Sequence, residues 1–229
     1  MESLRIFVGW DSREDIAYQV AKRSLEKNAT SPVDVTPIKL HDLVGAGLFT
    51  REIDPLASTE FTYSRFLTPF LAGYEGWALF CDCDFLFFGD VSELKKFMID
   101  EHAVACVKHD YRPTNSMKMD GKAQTVYPRK NWSSFMLFNC AHPSTRKLTV
   151  ECVNQETGAY LHRMQWAKDE EIGEIPTTWN WLEGWNKEPE TGYPNAVHFT
   201  NGGPWFEEWT NVAYADEWRA VAGELSREQ

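Results

Sequence analysis

The sequence lacks any hydrophobic run near the ~20 residues that a transmembrane helix requires, so we expect no membrane span. Its first residues also lack the basic end and the apolar stretch of a secretory signal. The five cysteines are an odd number without regular spacing, which predicts free thiols rather than disulfides or a zinc site. Together these absences favour a cytoplasmic protein.

Positive charge is also in short supply. Lysine and arginine number 23 against 34 aspartates and glutamates, which gives a formal net charge of −11. An acidic chain is repelled by phosphate backbones and anionic lipids, so nucleic acid and membrane surfaces are disfavoured as partners. A nucleotide held through a metal ion remains compatible with this charge.

What the sequence does contain is typical of a globular protein. Of its 229 residues 43% are hydrophobic and 25% are charged, and eight of the ten tryptophans lie between Trp132 and Trp218. We see no repeat and no linker, so we expect a single domain. Within it we expect a nucleotide-binding half, residues 1–108, and an acceptor half, residues 109–229.

Hydrophobic patterning predicts an α/β fold. Apolar or β-branched runs predict strands at residues 4–9, 33–38, 77–81, 103–107 and 133–139. Spacing on one face predicts helices over residues 16–25, 61–71 and 144–154. This alternation is typical of a mostly parallel central sheet flanked by helices. The long polar segment 109–131, rich in basic residues, predicts a flap over a ligand site.

Two carboxylates stand inside one of the apolar runs. Asp82 and Asp84 are flanked on both sides by apolar residues, with no cationic side chain next to them in the sequence. Residues i and i+2 of a strand share a face, so both carboxylates can converge on one ion. Hard oxygen ligands suit Mn²⁺ or Mg²⁺. The alternative is a strand end where two solvated aspartates cap a turn.

Five stretches, in order across roughly residues 4 to 209, resemble motifs of glycosyltransferase family 8. They are residues 6–13 at the first strand and turn, 61–70 with Tyr-Ser-Arg, 77–94 around Asp-Cys-Asp, 131–139, and 175–180 with Pro-Thr-Thr-Trp-Asn. The resemblance implies a single-domain A-type glycosyltransferase fold. It also implies a metal-dependent, retaining transfer of a hexose from a nucleotide-sugar, UDP-hexose in the first instance, to a saccharide or glycoconjugate acceptor of unknown identity.

The resemblance also implies site residues. Asp82, Asp84 and His198 match the family's metal ligands. We assign donor binding to Gly9, Trp10, Asp11, Tyr63, Arg65, Cys83 and Gly203, and catalysis to Asp169, Glu170 and Asn139. Gly203 stands where the family has a lysine that grips the donor phosphates. Arg65 or a basic residue of 109–131 is the expected replacement.

Alternatives remain open at several of these positions. His198 can also be a structural histidine, Asp11 a helix N-cap, and Arg65 the partner of Glu60 or of another surface acid. Residues 169–171 can form a solvated turn. The sequence also does not distinguish uracil from guanine as the base of the donor. Two other functions stay open: a phosphatase of the haloacid dehalogenase type that uses Asp82 and Asp84, and a non-catalytic carbohydrate-binding protein.

Overall fold

The structure is a computed structural model that describes residues 3–52, 57–110, 129–187, 189 and 192–227. The strands are β1 Leu4–Gly9, β2 Val33–Ile38, β3 Trp77–Cys81, β4 Phe85–Phe87, β5 Val104–Cys106, β6 Phe135–Asn139, β7 Ile172–Glu174, β8 Trp181–Leu182 and β9 Ala196–His198. The α-helices are α1 Asp15–Asn28, α2 Leu40–Gly45, α3 Thr68–Leu71, α4 Val150–Gln155, α5 Gly158–His162 and α6 Ala215–Leu225. Short 3₁₀ helices cover Ser64–Leu67, Val91–Phe97, Trp132–Ser134, Thr145–Lys147, Asp169–Glu171, Thr177–Trp179 and Glu207–Trp209.

A six-stranded sheet with the order β2-β1-β3-β6-β5-β7 forms the centre of the fold. β2, β1 and β3 are mutually parallel, β6 is antiparallel to both β3 and β5, and β7 is parallel to β5. Five of these six strands therefore point the same way, which confirms the mostly parallel α/β sheet. The reversed strand was not predicted, because a fully buried strand has the same continuous apolar pattern in either direction.

Burial explains why the central strands are apolar throughout. Every residue of β6 is buried, and β3 is buried from Ala78 to Cys81, so both faces of these strands are covered. Charged or polar side chains in such strands would lose hydration without a partner. Polar side chains that could form a site are consequently found at the ends of these strands.

A second, three-stranded sheet places residues from distant parts of the chain at the carboxyl end of β3. Its order is β4-β9-β8, and Phe85 of β4 pairs with His198 of β9. This register brings the end of β9 beside the residues that link β3 to β4. The link contains both aspartates of the Asp-Cys-Asp triplet.

Two predicted helices are broken into shorter pieces. The segment 61–71 forms a 3₁₀ helix followed by α3, with Pro69 near the start of α3, where its missing N–H is tolerated. The segment 144–154 likewise divides, and Thr149 caps α4 by accepting a hydrogen bond from the Cys152 N–H. Of the predicted flap, residues 111–128 lie outside the described residues.

The five cysteines are all free thiols, as predicted. Four of them are buried, and burial raises the pKa of Cys106 and Cys140 to about 12, so these thiols stay protonated. Within the described part of the chain, no helix has the length and apolar character to cross a membrane.

Gly9, at the end of β1, packs directly against an aromatic ring. A Cβ at this position would lie 2.4 Å from the Phe61 ring, and Phe61 is almost fully buried. The absence of a side chain at Gly9 therefore allows β1 to pack closely against Phe61.

We expect Gly9→Ala to destabilise the fold by about 1–3 kcal/mol, because the ring has no space to move away from the new methyl group. Gly45→Ala is the matched control. Gly45 ends α2 with open space around it, so alanine there should be neutral or stabilise by up to ~1 kcal/mol. Urea unfolding of both variants measures the difference, and equal stabilities would contradict the packing role of Gly9.

Candidate functional site

Asp82, Asp84 and His198 come together at the carboxyl end of β3. One potential ligand atom from each residue lies within 4.8 Å of the others. His198 Nε2 is 3.3 Å from Asp84 Oδ2, and the histidine is almost fully buried. The structure thus gathers the three predicted metal ligands from two separate parts of the chain; the bound ion itself stays a prediction.

The orientation of His198 is set by a chain of hydrogen bonds. Ser134 Oγ donates to the Asn131 carbonyl at 2.7 Å, so it accepts from Asn180 Nδ2 at 2.9 Å. Asn180 Oδ1 then faces His198 Nδ1 at 2.9 Å and accepts a hydrogen bond from its N–H. This contact at Nδ1 leaves the other ring nitrogen, Nε2, facing Asp84. Two acceptor atoms so close together require a proton or a cation between them, so this donor set fits a divalent metal.

Asp82 forms a buried ion pair that was not predicted. Its Oδ1 is 2.7 Å from Arg65 Nη1, which also donates to the Ser133 carbonyl at 2.9 Å. The side chain of Arg65 is 6% exposed and that of Asp82 is 12% exposed. No cationic side chain is next to the aspartates in the sequence, but the fold brings Arg65 against Asp82 from 17 positions away. The alternative pairing of Arg65 with Glu60 is wrong, because Glu60 accepts hydrogen bonds from Ser12 instead.

Glu14 is a cavity residue that the sequence interpretation missed. It immediately precedes α1, is 5% exposed, and lines the same cavity as Asp82 and Asp84. Burial, together with the nearby carboxylates of Asp84, Asp11 and Asp82, raises the pKa of Glu14 to about 8 against the opposing effect of Arg13. Acidic residues are common at the starts of helices, so nothing in the neighbouring sequence distinguishes Glu14 as a buried residue.

The proton on Glu14 makes the stability of the fold depend on pH. The folded pKa of about 8 exceeds the ordinary value of 4.5, so only the unfolded chain releases this proton between the two values. The contribution is fully present below pH 4.5 and is lost as the pH rises through about 8. Between these two pH values the free energy of unfolding should fall by at most ~1.4 kcal/mol per pH unit because of Glu14, and Glu14→Gln should remove this dependence. Urea unfolding of both proteins at about pH 5, 6.5 and 8, without divalent ions, tests this; parallel pH curves would refute it.

The described residues enclose a cavity of about 150 Å³ next to this cluster. Arg65 and Cys83, which we assigned to donor binding, line this cavity, and so do Lys130, one of the basic residues of the 109–131 segment, and His162, which was not singled out from the sequence. His162 Nδ1 lies 2.8 Å from Ser133 Oγ, and burial and Arg65 lower the pKa of His162 to about 3, so the ring is neutral.

The three predicted catalytic residues lie away from this cavity. Asn139 pairs with Trp77 in the sheet register, at the amino end of β3, and donates to the Asp100 carbonyl. The antiparallel direction of β6 puts it there, since β6 begins at the site and ends on the far side. Asp169 and Glu170 precede β7 at that same far edge, and the 83% exposed side chain of Asp169 pairs with Arg129. The placement thus corrects Asn139 and favours the solvated turn for residues 169–171.

Several predicted donor-binding residues have structural contacts instead. Asp11 is fully buried, and its carboxylate accepts hydrogen bonds from Arg13 and from the Glu60 N–H, so it holds the turn after β1. Trp10 Nε1 donates to Asp15, and Tyr63 lies under the Arg51 guanidinium at 4.0 Å. Among the described residues, the cavity walls include none of Trp10, Asp11 and Tyr63.

Gly9 and Gly203 are also absent from the walls of the cavity formed by the described residues. Both are glycines for steric reasons. A Cβ on Gly203 would lie 1.9 Å from the Trp205 ring, so no lysine or other side chain fits there in this conformation. Thr200 and Asn201 line the cavity in its place.

We expect Asn180→Leu to weaken Mn²⁺ binding by roughly 10- to 100-fold, because the acceptor that fixes His198 is lost. Asn180→Asp keeps an acceptor at the same place and should retain most of the affinity. Free Mn²⁺ measured by electron paramagnetic resonance reports the affinity without any substrate. Equal binding by wild type and the leucine variant would contradict the role of Asn180.

Comparison with solved structures shows similarity over nearly the whole chain. The glycosyltransferase GlyE of Streptococcus pneumoniae matches with a TM-score of 0.63 and 13% identity, over 97% of this chain and 60% of GlyE. The galactosyltransferase LgtC, in complex with donor and acceptor sugar analogs, matches with a TM-score of 0.62 and 12% identity, over 96% of both chains. This chain thus spans less than two thirds of GlyE but nearly all of LgtC.

These matches define the fold as that of an A-type glycosyltransferase, which confirms the resemblance to family 8 at the level of the fold. The chain belongs to the same family as Protein CDI of Arabidopsis thaliana, with 54% identity over 227 residues, 98% of this chain and 88% of that protein. No protein-family model matches the sequence.

Proposed function

We propose that this protein is a metal-dependent glycosyltransferase that moves a hexose from a nucleotide-sugar to a saccharide or glycoconjugate acceptor. The observation that carries the proposal is the convergence of Asp82, Asp84 and His198 at the carboxyl edge of an A-type glycosyltransferase sheet. Open α/β sheets bind ligands at this edge. We further propose a UDP-hexose donor, a retaining reaction and a cytoplasmic location, on the resemblance to family 8 and the free cysteines.

The chain's own residues prepare this edge for a charged donor. Asp82, Asp84 and His198 would hold Mn²⁺ or Mg²⁺, with Arg65 orienting Asp82 and Asn180 orienting His198. When bound, the ion would neutralise the negative charge that develops on the diphosphate leaving group. The buried Phe85 ring stacks on the His198 ring, with centroids 4.5 Å apart, and so shields one face of the imidazole from water.

The A-type fold supports a transferase over the two alternatives. A phosphatase of the haloacid dehalogenase type would use Asp82 as a nucleophile or acid, but here the Asp82 carboxylate is paired with Arg65. A carbohydrate-binding protein would need no carboxylate–histidine cluster. Metal-dependent binding of a nucleoside diphosphate is the property that belongs to the transferase.

We expect Asp84→Asn to reduce Mn²⁺-dependent UDP binding and the slow hydrolysis of a UDP-hexose by at least ~100-fold, because a charged ligand of the ion is lost. Asp216→Asn removes the same charge from a 95% exposed side chain in α6 and is the control. Calorimetric titration with UDP, with and without Mn²⁺, measures binding. If UDP does not bind the wild type, or if Asp84→Asn behaves like the control, the proposal fails.

A further inference from the structure

Another cavity lies at the surface of the protein, where the chain enters the last helix, α6. It has a volume of about 220 Å³, and most of the residues that line it carry hydrogen-bonding side chains: Thr210, Asn211, Tyr214, Asp216, Glu217 and Arg219. Hydroxyl, amide, carboxyl and guanidinium groups are thus gathered in one place. Together they offer both donors and acceptors, which is what a ligand with several hydroxyl groups needs.

An exposed aromatic ring stands at the rim of this cavity. Tyr193 is 57% exposed, and its hydroxyl group donates to Glu217 Oε1 at 3.2 Å. One face of its ring is covered by the Phe88 ring, which stacks on it with centroids 4.6 Å apart and an angle of 14° between the planes. The large exposure of Tyr193 therefore belongs mainly to the opposite face of the ring.

The ring of Tyr193 is held in place before any ligand binds. Phe88 fixes its plane, Glu217 fixes its hydroxyl group, and the centroid of the Tyr214 ring lies 6.0 Å away. Tyr214 in turn packs edge-on against the buried Trp181, with 5.3 Å between the ring centroids. A flat ring fixed in this way loses little conformational entropy when a ligand stacks on it.

The backbone at Tyr214 is held in an unusual conformation. Tyr214 has a φ of +63° and directly precedes α6. A bulky residue rarely adopts this left-handed region, and it persists there only where the surroundings enforce it. Tyr214 thereby joins the two features, since it lines the cavity and contacts the Tyr193 ring.

The chemistry of the cavity wall favours a neutral, hydroxyl-rich ligand. Asp216 and Glu217 oppose the single positive charge of Arg219, which Asp216 already engages at 2.9 Å, so an anion such as a phosphate would be repelled. The apolar side chains of the wall are the small ones of Val212 and Ala215, which offer little area to an apolar peptide. A saccharide fits both parts, with hydroxyl groups for the cavity and a C–H face for an aromatic ring.

We propose that Tyr193 and this cavity form a surface saccharide site, which binds a neutral sugar chain away from the metal ligands. A sugar ring stacks on the open face of Tyr193, and its hydroxyl groups bond to cavity side chains such as Asn211. Tyr193 lies before the start of β9, whereas His198 ends that strand, so the three residues of β9, about 10 Å, separate the two sites. The binding itself does not depend on the proposed transferase; only its use for an acceptor chain rests on that function.

The test is saturation-transfer difference NMR on the whole chain, without Mn²⁺ or nucleotide, with cellohexaose, xylohexaose, mannohexaose and maltohexaose as probes. We expect at least one hexaose to bind and to receive saturation from aromatic protons. Tyr193→Ala should weaken this binding by at least ~10-fold, because the stacking face is lost. Tyr193→Phe keeps the ring and should stay within about threefold of wild type, whereas Asn211→Ala should weaken binding by roughly 3- to 10-fold. Ile99→Ala, at a 44% exposed apolar side chain elsewhere, is the control and should match wild type.

Asp84→Asn changes the proposed metal site and should bind the hexaoses as wild type does. Failure of all four probes to bind wild type, or equal binding by wild type and Tyr193→Ala, overturns the surface saccharide site. Loss of binding in Asp84→Asn with retention in Tyr193→Ala also overturns it, because the saccharide would then occupy the edge of the sheet at β3. These results do not involve UDP, so the transferase proposal stands or fails separately.

Discussion

The buried ion pair between Arg65 and Asp82 is the interaction on which the site depends. It connects the segment before α3, the end of β3 and, through the Ser133 carbonyl, the start of β6. Each buried charge loses several kcal/mol of hydration, and removing one partner from such a pair typically costs ~3–5 kcal/mol. The pair therefore fixes the direction of Asp82 before any ligand arrives, and it makes three separate segments of the chain mutually dependent.

Four carboxyl groups meet at this edge of the sheet, and the protein stabilises them in different ways. Asp82 is paired with Arg65, and Asp11 is held by Arg13 and the Glu60 N–H. Glu14 retains its proton, because burial and its acidic neighbours raise its pKa. Asp84 faces His198, whose Nε2 lies 3.3 Å from the Asp84 Oδ2 atom. This last arrangement is the one that a divalent cation would complete, which is why we propose the cation site there.

Local patterns in the sequence predict much of this protein. Strand positions follow from apolar runs. The convergence of Asp82 and Asp84 was expected from the two-residue period of a strand, but both residues lie in the link between β3 and β4, and it is this link that brings them together. The direction of β6 could not be predicted, because a fully buried strand shows the same continuous apolar pattern whether it runs parallel or antiparallel to its neighbours. For that reason Asn139 was expected at the site, whereas it lies at the opposite edge of the sheet. The Arg65–Asp82 pair and the burial of Glu14 and Lys130 arise from packing between distant segments, which leaves no trace in nearby residues.

The reversed strand also bears on how the chain is synthesised. β3 and β5 both pair with β6, which lies between them and comes from the second half of the chain. Until residues 135–139 have left the ribosome, one edge of β3 and one edge of β5 have no strand to bond, and both are strongly apolar. Unpaired apolar edges of this kind invite aggregation. The arrival of β6 brings Ser133, which completes the contact with Arg65 and Asp82, whereas the cluster with His198 can form only after β9 has also been synthesised.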